Sequence, residues 1–111
     1  MTNEDPIRRY LDAKRAFDEQ TDRCRAHRDT IKDINNLMTR WWDMRFSNLD
    51  IGFPAGAAQL TFDAHRWPDL RRVAQDLADW HQLRHQLSNA WALVPEGDRG
   101  GLQAPPPTPQ W

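Results

Sequence analysis

The chain is expected to fold as an all-α antiparallel helical hairpin, with an ordered connecting loop and a Pro-rich extended tail. Three observations predict this. Residues from Pro6 to about Phe46 hold no further Pro and no Gly. A second uninterrupted run follows Pro68 to about Val94, closed by Pro95 and Gly97. Both runs repeat apolar residues at heptad spacing, the pattern of helices that pack along a seam.

The first helix is placed at 6–46. Asp5 can cap free N–H groups, and Pro6 suits the first helical position because its missing N–H would go unpaired there. Such a helix would span about 60 Å. One seam row is Tyr10, Phe17, Cys24, Ile31 and Met38; the other is Ala13, Gln20, His27, Ile34 and Trp41. Opposite charges four apart, as in Asp5–Arg9 and Glu19–Arg23, add a few tenths of a kcal/mol each. Trp41 and Trp42 lie about 100° apart on a helix and cannot share one narrow seam. They are either core or a partner hot spot.

Residues 47–66 form a connection too long for a plain helix–helix turn. Leu49, Ile51, Phe53, Leu60 and Phe62 predict an ordered cap, with a short helical turn after Pro54. Trp67-Pro68-Asp69 opens a second helix over 68–94. Its expected rows are Leu70, Leu77, Arg84, Trp91 and Val73, Trp80, Leu87, Val94. Five of the eight prolines lie from Pro95 onward, predicting a flexible, polyproline-like tail. The division is therefore a helical oligomerisation domain, 1–95, and a tail, 96–111.

Unequal helices leave apolar surface uncovered. The shorter one is expected to expose the N-terminal turns of the longer, around Tyr10 and Phe17. A domain this small buries only about 60–65% of its unfolded surface, so self-association or a protein partner is expected. The candidate interface residues are Tyr10, Phe17, Ile31, Ile34, Met38, Trp41, Trp42, Phe53, Trp67, Trp80 and Trp91.

Charge excludes several classes. The 111 residues carry 15 basic and 16 acidic groups, a net −1, and the signs are interleaved. No strong field favours nucleic acid or acidic lipid. Arg8, Arg9, Arg15, Arg23, Arg25, Arg28, Arg71 and Arg72 could touch phosphates, but only weakly and without sequence preference. The single Cys24 cannot form an internal disulfide. No apolar run reaches membrane-spanning length, and the polar, acidic start is unlike a leader peptide. A cytoplasmic location is the expectation.

Chemistry-bearing patterns are sparse. His81 and His85 share a helical face but make only two metal ligands. Cys24 and His27 are one turn apart, yet no orienting group or oxyanion site accompanies them. Asp18, Glu19, Asp22, Asp29 and Asp33 alternate with arginines and read as a solvated face. No enzyme, cofactor or small-molecule substrate is expected.

The stretch from Arg66-Trp67-Pro68-Asp69 to Asn89-Ala90-Trp91, with the ending Val94-Pro95-Glu96-Gly97-Asp98-Arg99-Gly100-Gly101-Leu102-Gln103-Ala104-Pro105-Pro106, resembles small helical proteins of tailed phages, prophages and gene transfer agents. Among packaging proteins it is similar to the small terminase subunit. The resemblance implies a ring-forming DNA-packaging adaptor in a bacterial host cytoplasm. It also implies that the tail, with Pro105, Pro106, Pro107 and Trp111, engages a large terminase subunit. The sequence holds no helix-turn-helix ahead of the long helix, so non-specific DNA contact is expected. Two alternatives stand beside this: a phage-encoded host-takeover inhibitor docking through its Trp cluster, and a virion assembly chaperone or scaffold.

Overall fold

The computed structural model describes residues 4–56 and 58–107. It is mostly helical, with two long helices: α1 (Glu4–Met38) and α2 (Leu70–Leu93). Two short strands lie between them, β1 (Met44–Ser47) and β2 (Leu60–Asp63). The whole is a rod measuring 69 × 23 × 15 Å.

α1 ends at Met38, not near Phe46 as the missing Pro and Gly suggested. Asn35, Asn36 and Thr39 end it, because their short polar side chains compete for the backbone. The Thr39 hydroxyl donates to the Asn36 carbonyl at 2.6 Å. A single 3₁₀ turn, Trp41–Asp43, follows. An Arg40–Asp43 ion pair of 2.7 Å braces it.

The expectation of an all-α chain fails in the connection. β1 and β2 pair in parallel, Met44 opposite Leu60 and Phe46 opposite Phe62. Parallel strands need a crossover of about a dozen residues, and residues 48–59 supply it. The expected helical turn after Pro54 is instead a plain turn with Gly56 at φ 72°. Side chains alternate across the pair. Met44 and Phe62 are buried, while Arg45 and Thr61 face water. Trp67 packs edge-on against Phe46 and Phe62, with centroids at 5.9 and 6.3 Å.

Pro68 precedes α2 and does not open it. The cap is Asp69, whose carboxylate accepts from the Arg71 N–H at 3.0 Å. The helices meet with residue numbers rising along α1 as they fall along α2. Tyr10 lies against Trp91 at 4.9 Å, and Phe17 against Trp80 at 5.4 Å. The core is Tyr10, Phe17, Cys24, Trp80, Leu87, Ala90 and Val94.

Two seam expectations need correction. On α2 Trp80, Leu87 and Val94 of the expected row do face α1, but their companions are Asp76, Leu83 and Ala90. Leu70 and Leu77 point to solvent, 81% and 47% exposed. On α1 the covered half is the reverse of the expected one. Tyr10 is 0% and Phe17 3% exposed, whereas Ile31 and Met38 are each 47% exposed. The cause is where α2 starts. An ion pair of 3.3 Å from Arg66, just ahead of α2, reaches only Asp33. The last turn of α1 therefore runs on past its partner helix.

The residues after α2 are more ordered than a flexible tail implies. Arg99 donates to the Val94 carbonyl at 3.0 Å and the Trp91 carbonyl at 3.1 Å. Its guanidinium lies 4.8 Å over the Trp91 ring. These contacts satisfy carbonyls that a helix end leaves open. Leu102 then packs on the core, and the Tyr10 hydroxyl donates to the Gln103 carbonyl. Arg99→Ala should cost about 1–2 kcal/mol and expose the chain near Leu102 to protease. Thermal unfolding and limited digestion check both.

Candidate functional site

A buried polar layer crosses the helix interface. Gln20 is 2% exposed, Thr21 7% and Asp76 6%. The Gln20 side-chain amide donates to the Asp76 carbonyl at 2.7 Å, and the Cys24 thiol reaches the same oxygen at 3.6 Å. The Asp76 carboxylate lies 2.6 Å from His27 Nε2 and 3.4 Å from Arg72 Nε. One helical turn away, the Trp80 indole N–H donates to the Thr21 hydroxyl at 2.9 Å. That hydroxyl in turn donates to the Phe17 carbonyl at 2.9 Å.

The hydrogen bond with His27, aided by Arg72, holds the Asp76 carboxyl below the usual carboxylate range. Burial pushes the Cys24 thiol up, and the Asp76 charge adds to this. A Cys–His–Asp set is thus present in composition, with Asp76 as the orienting group the sequence reading did not see. Its chemistry runs against nucleophilic use, since an activated cysteine needs a lowered pKa and access. What the layer does is fix register. A helix slipped by one turn would strand Asp76 and Gln20 without partners, at a cost no apolar seam imposes.

The other distinctive surface is the end of the rod where α1 outruns α2. Trp41 and Trp42 are 66% and 63% exposed and meet each other edge-on, at 6.1 Å. Ile31, Met38, Leu49, Ile51, Phe53 and Trp67 are exposed toward the same end. Ile34 is half-buried. Solvated proteins seldom present so many large apolar side chains together. The expected interface residues thus divide. Tyr10, Phe17 and Trp80 are core, and Trp91 is half-buried against Tyr10. Ile31, Met38, Trp41, Trp42, Phe53 and Trp67 remain open.

The arginines do not form one dedicated surface. Arg8, Arg9, Arg15, Arg23, Arg25, Arg71 and Arg72 are exposed and Arg28 half-exposed. Several sit beside acids: Arg15 by Asp12 at 3.9 Å, Arg25 by Asp22 at 3.8 Å, Arg28 by Asp29 at 2.9 Å. Arg72 turns inward to Asp76, and Arg23 donates to the Gln20 side chain at 2.8 Å. Pro105 is half-buried, and Pro106 and Pro107 are exposed. Trp111 lies outside the described residues. His81 and His85 are exposed, and the His81 ring lies edge-on to Trp80. Among the described residues no group of three His, Cys, Asp or Glu is placed to hold a metal ion. No described helix is long and apolar enough to cross a membrane.

Sequence reasoning missed Asp76 because the second row of α2 was set one position off, on Leu70, Leu77, Arg84 and Trp91. The signal was its position, three residues after Val73 and four before Trp80. It also missed the strands. Met44-Arg45-Phe46-Ser47 and Leu60-Thr61-Phe62-Asp63 each alternate apolar and polar, the period of a half-buried strand. Comparison with protein-family models, with curated proteins and with solved structures gives no match.

Proposed function

We propose that this protein is a non-catalytic assembly adaptor that oligomerises through the uncovered end of α1. The observation that carries this reading is the pairing of Trp41 and Trp42, about two-thirds exposed, with the exposed seam residues Ile31 and Met38. Large aromatic side chains left in water at a helix end supply the anchors from which protein interfaces are built. The building block is an antiparallel hairpin of α1 and α2, locked in register by Asp76. The region after Leu102 is left to engage a second protein.

The finer reading is a packaging adaptor similar to a small terminase subunit. It rests on the C-terminal resemblance, not on the fold. In that role the exposed arginines would touch DNA loosely, and Pro105 to Trp111 would meet a large motor subunit. The Trp41–Trp42 pair also suits a host-takeover inhibitor that docks on one target.

Light scattering at micromolar concentration separates these. The adaptor should run as a defined multimer, and the double variant Trp41→Ser/Trp42→Ser should run as a monomer with unchanged helix content. A wild-type monomer that captures one host protein supports the inhibitor. A wild-type multimer whose DNA binding fails even at low salt keeps assembly and removes packaging, because phosphate contacts strengthen steeply as salt falls.

A further inference from the structure

The sheet is unusual in its size. It has only two strands, they are parallel, and no third strand pairs with either edge among the described residues. Strand edges left open present unpaired N–H and C=O groups to any extended segment that fits. A two-stranded unit is marginal in water, and a further strand stabilises it.

A fitting segment lies next to it in the same chain. Leu49-Asp50-Ile51-Gly52-Phe53 alternates apolar and polar residues, as a half-buried strand does. It joins no sheet here, and Leu49, Ile51 and Phe53 are 50%, 62% and 40% exposed. The chain is turned away from its own β1 at Asn48, which holds φ 58°, a left-handed conformation. The Asn48 side chain fixes that kink by donating to Asp63 at 3.0 Å. Residues 49–53 leave the sheet there, and the Ile51 N–H closes a tight turn onto the Leu49 carbonyl at 2.8 Å that must open for the segment to pair as a strand.

We infer that the open edge of β1 accepts residues 49–53 of a second copy as a third strand. The faces match. Leu49, Ile51 and Phe53 would extend the apolar face of Met44 and Phe46, where Trp67 keeps 53% of its surface exposed. Asp50 would then fall on the opposite face, beside the exposed Arg45. The charges also choose the edge. β2 carries Asp63 on its polar face, whose charge would repel Asp50, whereas β1 offers Arg45, which donates to the neutral Thr61 hydroxyl at 3.1 Å and has no acid facing it across the pair. Mutual donation closes a two-fold dimer, while head-to-tail donation builds a ring.

This inference rests on the proposal of self-assembly and adds its mode, so the experiment must tell the two apart. The probe is the full chain, its self-association followed by sedimentation over a range of concentrations. Asp50→Arg and Arg45→Asp should each weaken association about tenfold or more, by setting like charges opposite one another. The double variant Arg45→Asp/Asp50→Arg should recover most of the loss. Ile51→Pro, which removes a strand N–H at an exposed position, should weaken it on the order of a hundredfold. Circular dichroism should show unchanged helix content throughout. A wild-type multimer whose size none of these changes alters overturns strand donation and leaves assembly through α1 standing. A wild-type monomer overturns both.

Discussion

Trp80→Ala should cost about 3–5 kcal/mol, the range for removing a large buried aromatic side chain. Trp80 is 8% exposed, stacks on Phe17, carries the Arg84 guanidinium over its ring and donates to Thr21. A whole domain is stable by only about 5–15 kcal/mol, so the loss removes much of the total. For a domain near this size the melting midpoint should fall on the order of 15–30 °C. Trp80→Phe keeps a ring against Phe17 and loses the indole donor, so about 1–2 kcal/mol should go. Trp42→Ala is the contrast. That side chain is 63% exposed, and its removal should leave the melt of the isolated chain within a few degrees. If Trp80→Ala melted with the parent, the interhelical core described above would be wrong.

The contrast between these two tryptophans marks what was legible in the sequence. Trp80 belonged to a heptad row that could be read directly, with Val73, Leu87 and Val94. So did Tyr10, Phe17 and Cys24 on α1. Heptad spacing follows from helix geometry, which is local, and it located both helices. Pro95 likewise marked the end of α2, while its start was expected at Pro68 and lies at Leu70, after the Asp69 cap. The failures share a different character. Asp76 was unreadable as a seam residue because its burial is made tolerable by His27, which lies 49 positions earlier. Leu70 and Leu77 were placed inside on heptad spacing, yet among the described residues they stay 81% and 47% exposed. The strand pairing depends on a crossover whose register no window of four residues contains. The end of α1 was missed because Asn35, Asn36 and Thr39 stop a helix weakly, one hydrogen bond at a time, where Pro or Gly stops it outright. The position of α2 along α1 follows from all of these. The uncovered stretch of the α1 seam was therefore expected around Tyr10 and Phe17, which are core, while Ile31, Met38, Trp41 and Trp42 of the same candidate set stay exposed. Arg99 was visible as part of a motif, but its capping of α2 needed the fold.

Asp76→Ala should cost about 2–3 kcal/mol, below the range for breaking a fully buried ion pair, because His27 and Arg72 can still reach water. The side chains of His27 and Arg72 are 24% and 68% exposed. The isosteric Asp76→Asn separates charge from shape through pH. Asp76 titrates below its ordinary value in the folded chain, whereas in the unfolded chain an aspartate titrates near 3.9. Between those two values the unfolded chain binds more protons than the folded one, so stability rises with pH there. The contribution is complete above the unfolded value and is lost as acid carries the solution down through the folded one. Asp63 is also held low, by the Asn48 amide and the His65 N–H. It is present in both proteins, so the difference between wild type and Asp76→Asn isolates Asp76. Urea midpoints measured from about pH 6 to pH 2 should show wild type ahead above roughly pH 5, and the gap closing as pH falls below about 4. A gap that widened on acidification would mean that Asp76 is held in its protonated form, and the register lock built on its charge would have to be given up.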